Sequence, residues 1–143
     1  MINPAGRVFV DTNILIYAHD PGAEQKRVIA RKLLTELWKE QAGVLSTQVL
    51  IEFYHTATRK VKIPREMARK VVAAYRQWCT STTSPELLVS ASLLEEKHQL
   101  SWWDSLIIQA ALQSGADTLL SEDMQHGRSF GRLTVRNPFV EGN

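Results

Sequence analysis

Four carboxylates stand in or beside apolar segments, where an acid is costly to place without a purpose. They are Asp11, Glu52, Asp104 and Asp123. Asp11 ends the run Val8-Phe9-Val10 and opens Asp11-Thr12-Asn13, and Glu52 interrupts Val49-Leu50-Ile51-Glu52-Phe53-Tyr54. Asp104 lies in Trp102-Trp103-Asp104-Ser105-Leu106-Ile107-Ile108, and Asp123 follows Thr118-Leu119-Leu120-Ser121-Glu122. Carboxylates gathered from distant segments repel one another and stay ionised together only beside a cation. Hard, oxygen-seeking Mg²⁺ or Mn²⁺ suits such ligands. The chemistry this predicts is metal-dependent hydrolysis of a phosphodiester, with a metal-activated water attacking phosphorus in line.

Each acid also has an ordinary structural alternative. Asp11 can cap a helix beginning at Thr12 or Asn13, and Ser101-Trp102-Trp103-Asp104 reads as a capping box with a shorter acid at its third position. Glu52 can face solvent, and Asp123 can cap a turn before Gly127, with Glu122 an equally acidic neighbour. The set of four is more specific than any member. A rival constellation pairs Glu52-x-x-His55 with Glu95-x-x-His98, the spacing of di-iron four-helix bundles. Such a bundle leaves no room for the strand-like runs Val8–Val10 and Thr118–Leu120. Gly-x-Gly-x-x-Gly, P-loop and Gly-x-Ser-x-Gly motifs are missing from the sequence, which argues against nucleotide-binding and serine-hydrolase chemistry.

The elements that must position these acids alternate between short strands and helices, predicting an α/β fold around a mostly parallel sheet. Strands are expected at Arg7–Val10, Val44–Leu45, around Leu87–Val89, at Asp117–Leu120 and at Leu133–Val135. Asp20-Pro21 reads as a cap and first position of a helix carrying Ala30, Leu33, Leu34, Leu37 and Trp38 on one face, stopped by Gly43. Ser46 or Thr47 can cap a second helix to about Lys60, with Val49, Leu50, Phe53 and Ala57 inward. A third runs from near Arg65 to Thr80, and two more cover about 90–98 and 102–114, the last ended by Gly115. Ligand sites of open α/β sheets lie outside the carboxyl ends of the strands. Asp11 and Asp123 therefore share an edge if their strands are parallel neighbours, with Glu52 and Asp104 joining from helix flanks.

A chain of 143 residues is expected to form one domain with a real core. The lone Cys79 excludes an intramolecular disulfide framework and a multi-cysteine zinc site. No apolar run approaches the roughly 20 residues that span a bilayer, and Met1–Arg7 lacks a signal-peptide layout. A cytoplasmic protein with no membrane partner is expected. The net charge of +2 does not announce a nucleic-acid binder. Arg59, Lys60, Lys62, Arg65, Arg69 and Lys70, and separately Arg128, Arg132 and Arg136, are clusters that can contact phosphates or simply be solvated.

The four acidic segments, in order and spacing over essentially the whole chain, resemble the PIN-domain ribonucleases, and most nearly the VapC-like toxins of toxin–antitoxin systems. Asp11-Thr12-Asn13 after a hydrophobic strand is the most specific piece and Glu52 the least. The resemblance implies a three-layer α/β/α sandwich with a parallel sheet of about five strands. It assigns Asp11, Glu52, Asp104 and Asp123 as an acidic quartet that holds Mg²⁺ or Mn²⁺ and carries the catalysis. Ser121 matches a small hydroxyl residue near the metal, and Asn13 a polar residue at the pocket rim. Glu122 is not expected to be a direct ligand. The implied activity is endoribonuclease, and the implied partners are an RNA substrate, an antitoxin whose C-terminal segment enters the pocket, and a second copy in a homodimer. Leu34, Trp38, Leu50 and Tyr54, on helices around 24–40 and 47–60, are candidate antitoxin contacts or ordinary core. A housekeeping RNA-processing nuclease and a non-catalytic PIN-like binding domain remain the alternatives.

Overall fold

Phe9 and Val10 of the first strand, β1 (Arg7–Val10), are fully buried, and all four residues of β2 (Gly43–Ser46) are buried. Strands covered on both faces read as continuous apolar runs, as expected at the centre of a parallel sheet. In the computed structural model, which describes residues 6–140, these two strands pair in parallel. The remaining strands are β3 (Cys79–Ser81), β4 (Ala116–Leu120), β5 (Ser129–Phe130) and β6 (Leu133–Arg136). The order across the sheet is β3-β2-β1-β4-β6-β5, with every neighbouring pair parallel except β5 and β6.

Six helices complete the described residues: α1 (Thr12–Ala18), α2 (Glu24–Glu40), α3 (Thr47–Thr56), α4 (Arg65–Tyr75), α5 (Pro85–His98) and α6 (Trp102–Gln113). α1 packs on α2 and α3, and α3 on α4, while α5 pairs with α6, which packs against β2 and β4. The result is a three-layer α/β/α arrangement around a mostly parallel sheet. Between the layers sits an apolar core in which Phe9, Phe53, Ile14, Leu45, Ile108 and Leu119 are fully enclosed. No helix among the described residues is long and apolar enough to cross a membrane. Residues 1–5 of the N-terminal stretch lie outside the described residues.

Several expected elements shift. Leu87–Val89 is not a strand but the first turns of α5. The Ser84 hydroxyl accepts the Leu87 N–H, and Pro85 occupies the first helical position. Those two signals outweigh the short apolar run, and Leu87 and Ala91 face inward at helical spacing. The strand lies earlier. α4 ends at Tyr75, a 3-10 turn covers Arg76–Trp78, and β3 occupies the segment expected to close that helix. Two-residue β5 raises the strand count to six against the five expected.

Asp20 does not cap α2. Its side chain accepts the Gly22 N–H in a turn, and the helix begins only at Glu24. Nor does Gly43 end that helix; Gln41 does, in the left-handed conformation at φ 54°. Gly43 opens β2 and lies flat against the Trp78 ring, where a Cβ would sit 2.6 Å from the ring carbons. Gly43→Ala is therefore expected to cost about 1–3 kcal/mol through overpacking, read as a lowered urea midpoint with an unchanged slope.

The end of α3 is also unusual. Ala57–Val61 forms a π-type turn, closed by Lys62 at φ 65° and by the Ile63 N–H on the Ala57 carbonyl (3.0 Å). It carries Arg59, Lys60 and Lys62 outward.

Candidate active site

Strand order places β1 between β2 and β4, and the chain leaves β1 toward β2 while β4 lies on its other flank. That reversal is a switch point, and the crevice beyond the carboxyl ends of two such strands is where α/β sheets bind ligands. Asp11 is the first residue after β1, and Ser121-Glu122-Asp123 follow β4 directly. The Asp11 N–H bonds the Leu120 carbonyl at 3.0 Å, locking the two strand ends together.

Asp11 is buried and does cap α1, accepting the Thr12 N–H at 2.7 Å through Oδ1. Its Oδ2 accepts the Ser121 hydroxyl at 2.9 Å. The same Ser121 oxygen accepts the Asp123 N–H at 3.2 Å, so one small hydroxyl ties two of the acids. Asn13 spans the rim: its Nδ2 donates to Asp123 Oδ2 at 3.0 Å, and its Oδ1 accepts the Glu122 N–H at 3.2 Å.

Glu52 arrives from α3 and is held at both oxygens. Thr12 Oγ1 donates to Oε1 at 2.9 Å, and Gln48 Nε2 donates to Oε2 at 3.0 Å. Asp104 sits in the first turn of α6, its N–H bonded to the Ser101 hydroxyl at 3.1 Å. Glu122 turns elsewhere, pairing with Lys26 and accepting the Tyr17 hydroxyl. Burial alone would raise its pKa, but Lys26 and Tyr17 together hold it below the ordinary carboxylate value.

Two of the four acids, Asp11 and Asp104, feel the charges of the other two. Burial raises Asp11 to a pKa of about 7, opposed by the Thr12 N–H and the Ser121 hydroxyl, and the charges of Glu52 and Asp123 push it further up. Asp104 is raised as well, first by burial and then by Asp123 and Glu52, against the Ser101 hydroxyl. Mutual repulsion of this kind is what a divalent cation relieves. The donor set fits Mg²⁺ or Mn²⁺ chemically: hard carboxylate oxygens, with Asp123 exposed at an open side where the ion can keep waters. Among the described residues, no three acidic, histidine or cysteine side chains form a ready-made ion cage. The rival di-iron pattern is not assembled, since α3 and α5, which carry Glu52-x-x-His55 and Glu95-x-x-His98, stand in different helical groups.

Two residues that hold the site escape a reading of the sequence. Thr12 bridges 40 positions to Glu52, a contact only the tertiary fold creates. Gln48 carries a weaker signal, the i, i+4 spacing to Glu52 on one helix.

Among curated proteins none matches this sequence. The fold is similar to that of VapC20 from Mycobacterium tuberculosis, a toxin that cleaves the sarcin–ricin loop. The TM-score is 0.61 at 18% identity, over 81% of this chain and 89% of that one. The PIN domain family model matches residues 8–128, a stretch that includes all four acids, and the chain belongs to the PIN domain family.

Proposed function

We propose that this chain is a Mg²⁺- or Mn²⁺-dependent endoribonuclease that hydrolyses RNA phosphodiesters, and that it is the toxin of a toxin–antitoxin pair. It acts as one PIN-like domain with Asp11, Glu52, Asp104 and Asp123 as metal-holding and catalytic acids. The observation that carries this reading is the placement of Asp11 and the Ser121–Asp123 loop at the β1/β4 switch point of a PIN fold. Glu52 is tied to Thr12 beside Asp11, and the charges of Glu52 and Asp123 act on Asp11 and Asp104. When bound, a divalent ion supplies a nucleophilic water of lowered pKa and neutralises charge on the phosphate. The chain supplies the rest. Thr12 and Gln48 fix Glu52, Ser121 and the Thr12 N–H fix Asp11, and Asn13 with Ser121 holds the loop of Asp123. Acids held this way meet the ion without first losing side-chain freedom, which favours productive geometry.

Two partners besides RNA belong to this proposal. An antitoxin segment bearing a basic residue suits the acidic, open pocket. Of its four candidate contacts, Leu34 is core, Trp38 packs on Tyr75 and Trp78, and Leu50 and Tyr54 are half-buried against the core. A second copy suits the apolar face of α5, where Val89 and Leu93 are each 63% exposed. The fold likeness to VapC20, a toxin, is in keeping with the antitoxin partner, and a cytoplasmic setting belongs to the same proposal.

The test is incubation of the purified protein with a structured-RNA pool in Mn²⁺ and in EDTA. Cleavage that requires Mn²⁺ supports the proposal. Intact RNA in both, with Mn²⁺ bound by calorimetry, would leave a PIN-like binding domain. A subtler check targets the support of Glu52. Removing an outer-shell partner of a metal ligand costs about 10–100-fold in activity or metal affinity. Thr12→Val, which keeps shape and deletes the donor to Glu52, is expected to lose activity in that range, measured as Mn²⁺ dependence of the cleavage rate.

A further inference from the structure

Beside the acidic pocket lies a groove of about 680 Å³, whose walls include Gln48, Ile51, Glu52, His55, Thr83 and Trp103. Its makeup does not fit ordinary surface. Trp103 is 64% exposed and Ile51 62% exposed, large apolar side chains left open to solvent on α6 and α3. Polar groups stand among them: the Gln48 amide, the His55 ring and the Thr83 hydroxyl. Trp103 directly precedes Asp104, and the groove shares Glu52 with the acidic pocket, so its occupant lies against the reacting centre.

We infer that this groove takes an unpaired nucleobase of the RNA substrate, stacked on Trp103 next to the scissile phosphate. The inference rests on the nuclease reading above for its place in the reaction, and on the groove itself for its chemistry. A groove that offers a flat apolar ring with the His55 ring and the Thr83 hydroxyl elsewhere in its walls matches a flat base with donors and acceptors at its edge. A volume of about 680 Å³ lies in the range of small-ligand pockets. Charge favours a nucleic acid over an apolar peptide. Beyond Thr56 the same helical segment continues into Arg59, Lys60 and Lys62, all exposed and without a carboxylate partner among the described residues. Phosphates flanking a base in the groove meet those cations, while Glu52, at the other end, faces the pocket where the metal would sit.

The base stacks before and during cleavage alike, so its loss weakens binding more than it slows chemistry. Trp103→Ala is expected to lower affinity for single-stranded RNA by roughly 5- to 100-fold, the usual effect of removing one stacking platform. Trp103→Phe restores most of that affinity. Both variants keep the wild-type melting temperature, because the side chain is exposed.

The test uses a single-stranded RNA pool carrying one 4-thiouridine, bound to the protein in EDTA and irradiated. Adducts within residues 47–56 or 101–106, lost in Trp103→Ala and regained in Trp103→Phe, support the groove. So does a raised KM with little change in kcat for Trp103→Ala, together with a flattened base preference at one position beside the cut. Equal RNA affinity in Trp103→Ala, or adducts elsewhere, overturns the inference even if wild-type cleavage is vigorous. Cross-linking in the groove with no Mn²⁺-dependent cleavage leaves the nucleobase site standing and removes the nuclease reading. Unchanged RNA binding in Trp103→Ala alongside loss of an inhibitory protein's grip assigns the groove to that protein and overturns the inference.

Discussion

Asp11→Asn is expected to reduce Mn²⁺-dependent RNA cleavage by more than about 100-fold and, in EDTA, to make the protein more stable. The first effect follows from position. Outer-shell partners of a metal ligand already cost about 10–100-fold when removed, and Asp11 is the acid most deeply set in the proposed pocket. Asparagine keeps the shape and can still accept the Thr12 N–H, so the fold has no reason to change. The second effect follows from its pKa of about 7, against an ordinary 3.8, caused first by burial and then by Glu52 and Asp123.

For a carboxyl raised in this way the folded state holds the proton more tightly than the unfolded chain. Between about pH 4 and 7 the native protein therefore binds more protons, and stability falls as pH rises through that window. Each tenfold change in proton affinity is worth about 1.4 kcal/mol, which puts the burden on the order of 2–4 kcal/mol at pH 8. Relief of that burden is expected to raise the melting temperature by roughly 5–10 °C at a size near 150 residues. Melting wild type and variant in EDTA from pH 5 to 8 checks the claim. The gap should widen with pH; parallel curves would show that Asp11 carries no such burden.

Phe53→Ala is expected to cost about 3–5 kcal/mol. Phe53 is fully buried on α3, with the His19 ring edge-on at 5.8 Å. Against a total stability of about 5–15 kcal/mol, that loss brings a domain close to unfolding. Its neighbour Glu52 carries the opposite burden: it contributes to the pocket through Thr12 and Gln48, not to the core. Urea titration should show a large fall in midpoint for Phe53→Ala, and a far smaller one for Trp103→Ala. A fall below about 1 kcal/mol would mean that the α1–α3 contact repacks around the void.

What can be read in the sequence divides along the range of the interactions involved. Asp11 and β1 are legible because a buried strand followed by an acid is a local pattern, and β4 with Ser121 and Asp123 repeats it. Ser46 is legible as a cap, and its hydroxyl does accept the Val49 N–H. β3 is not, because three residues after a helical run leave no period to detect, and their pairing with β2 is long-range. Leu87–Val89 misleads because a short apolar run suits strand and helix alike, and only Ser84-Pro85 decides. Within the site, the acids are betrayed by their cost and the groups that hold them are not. Thr12 looks like any polar residue until α3 brings Glu52 to it. The exposure of Trp103 is likewise invisible beforehand, since a Trp pair in a helix most often packs inward.

The bond from the Asp11 N–H to the Leu120 carbonyl joins residues more than a hundred positions apart, and β1 and β4 zip together only once the long segment between them has been made. Parallel pairing over such a separation is entropically slow and comes late in folding. During synthesis the chain carries Asp11, Glu52 and Asp104 as scattered, individually harmless acids. The pocket therefore exists only after Asp123 has been made and has met Asp11, and its chemistry begins only when segments more than a hundred residues apart have come together.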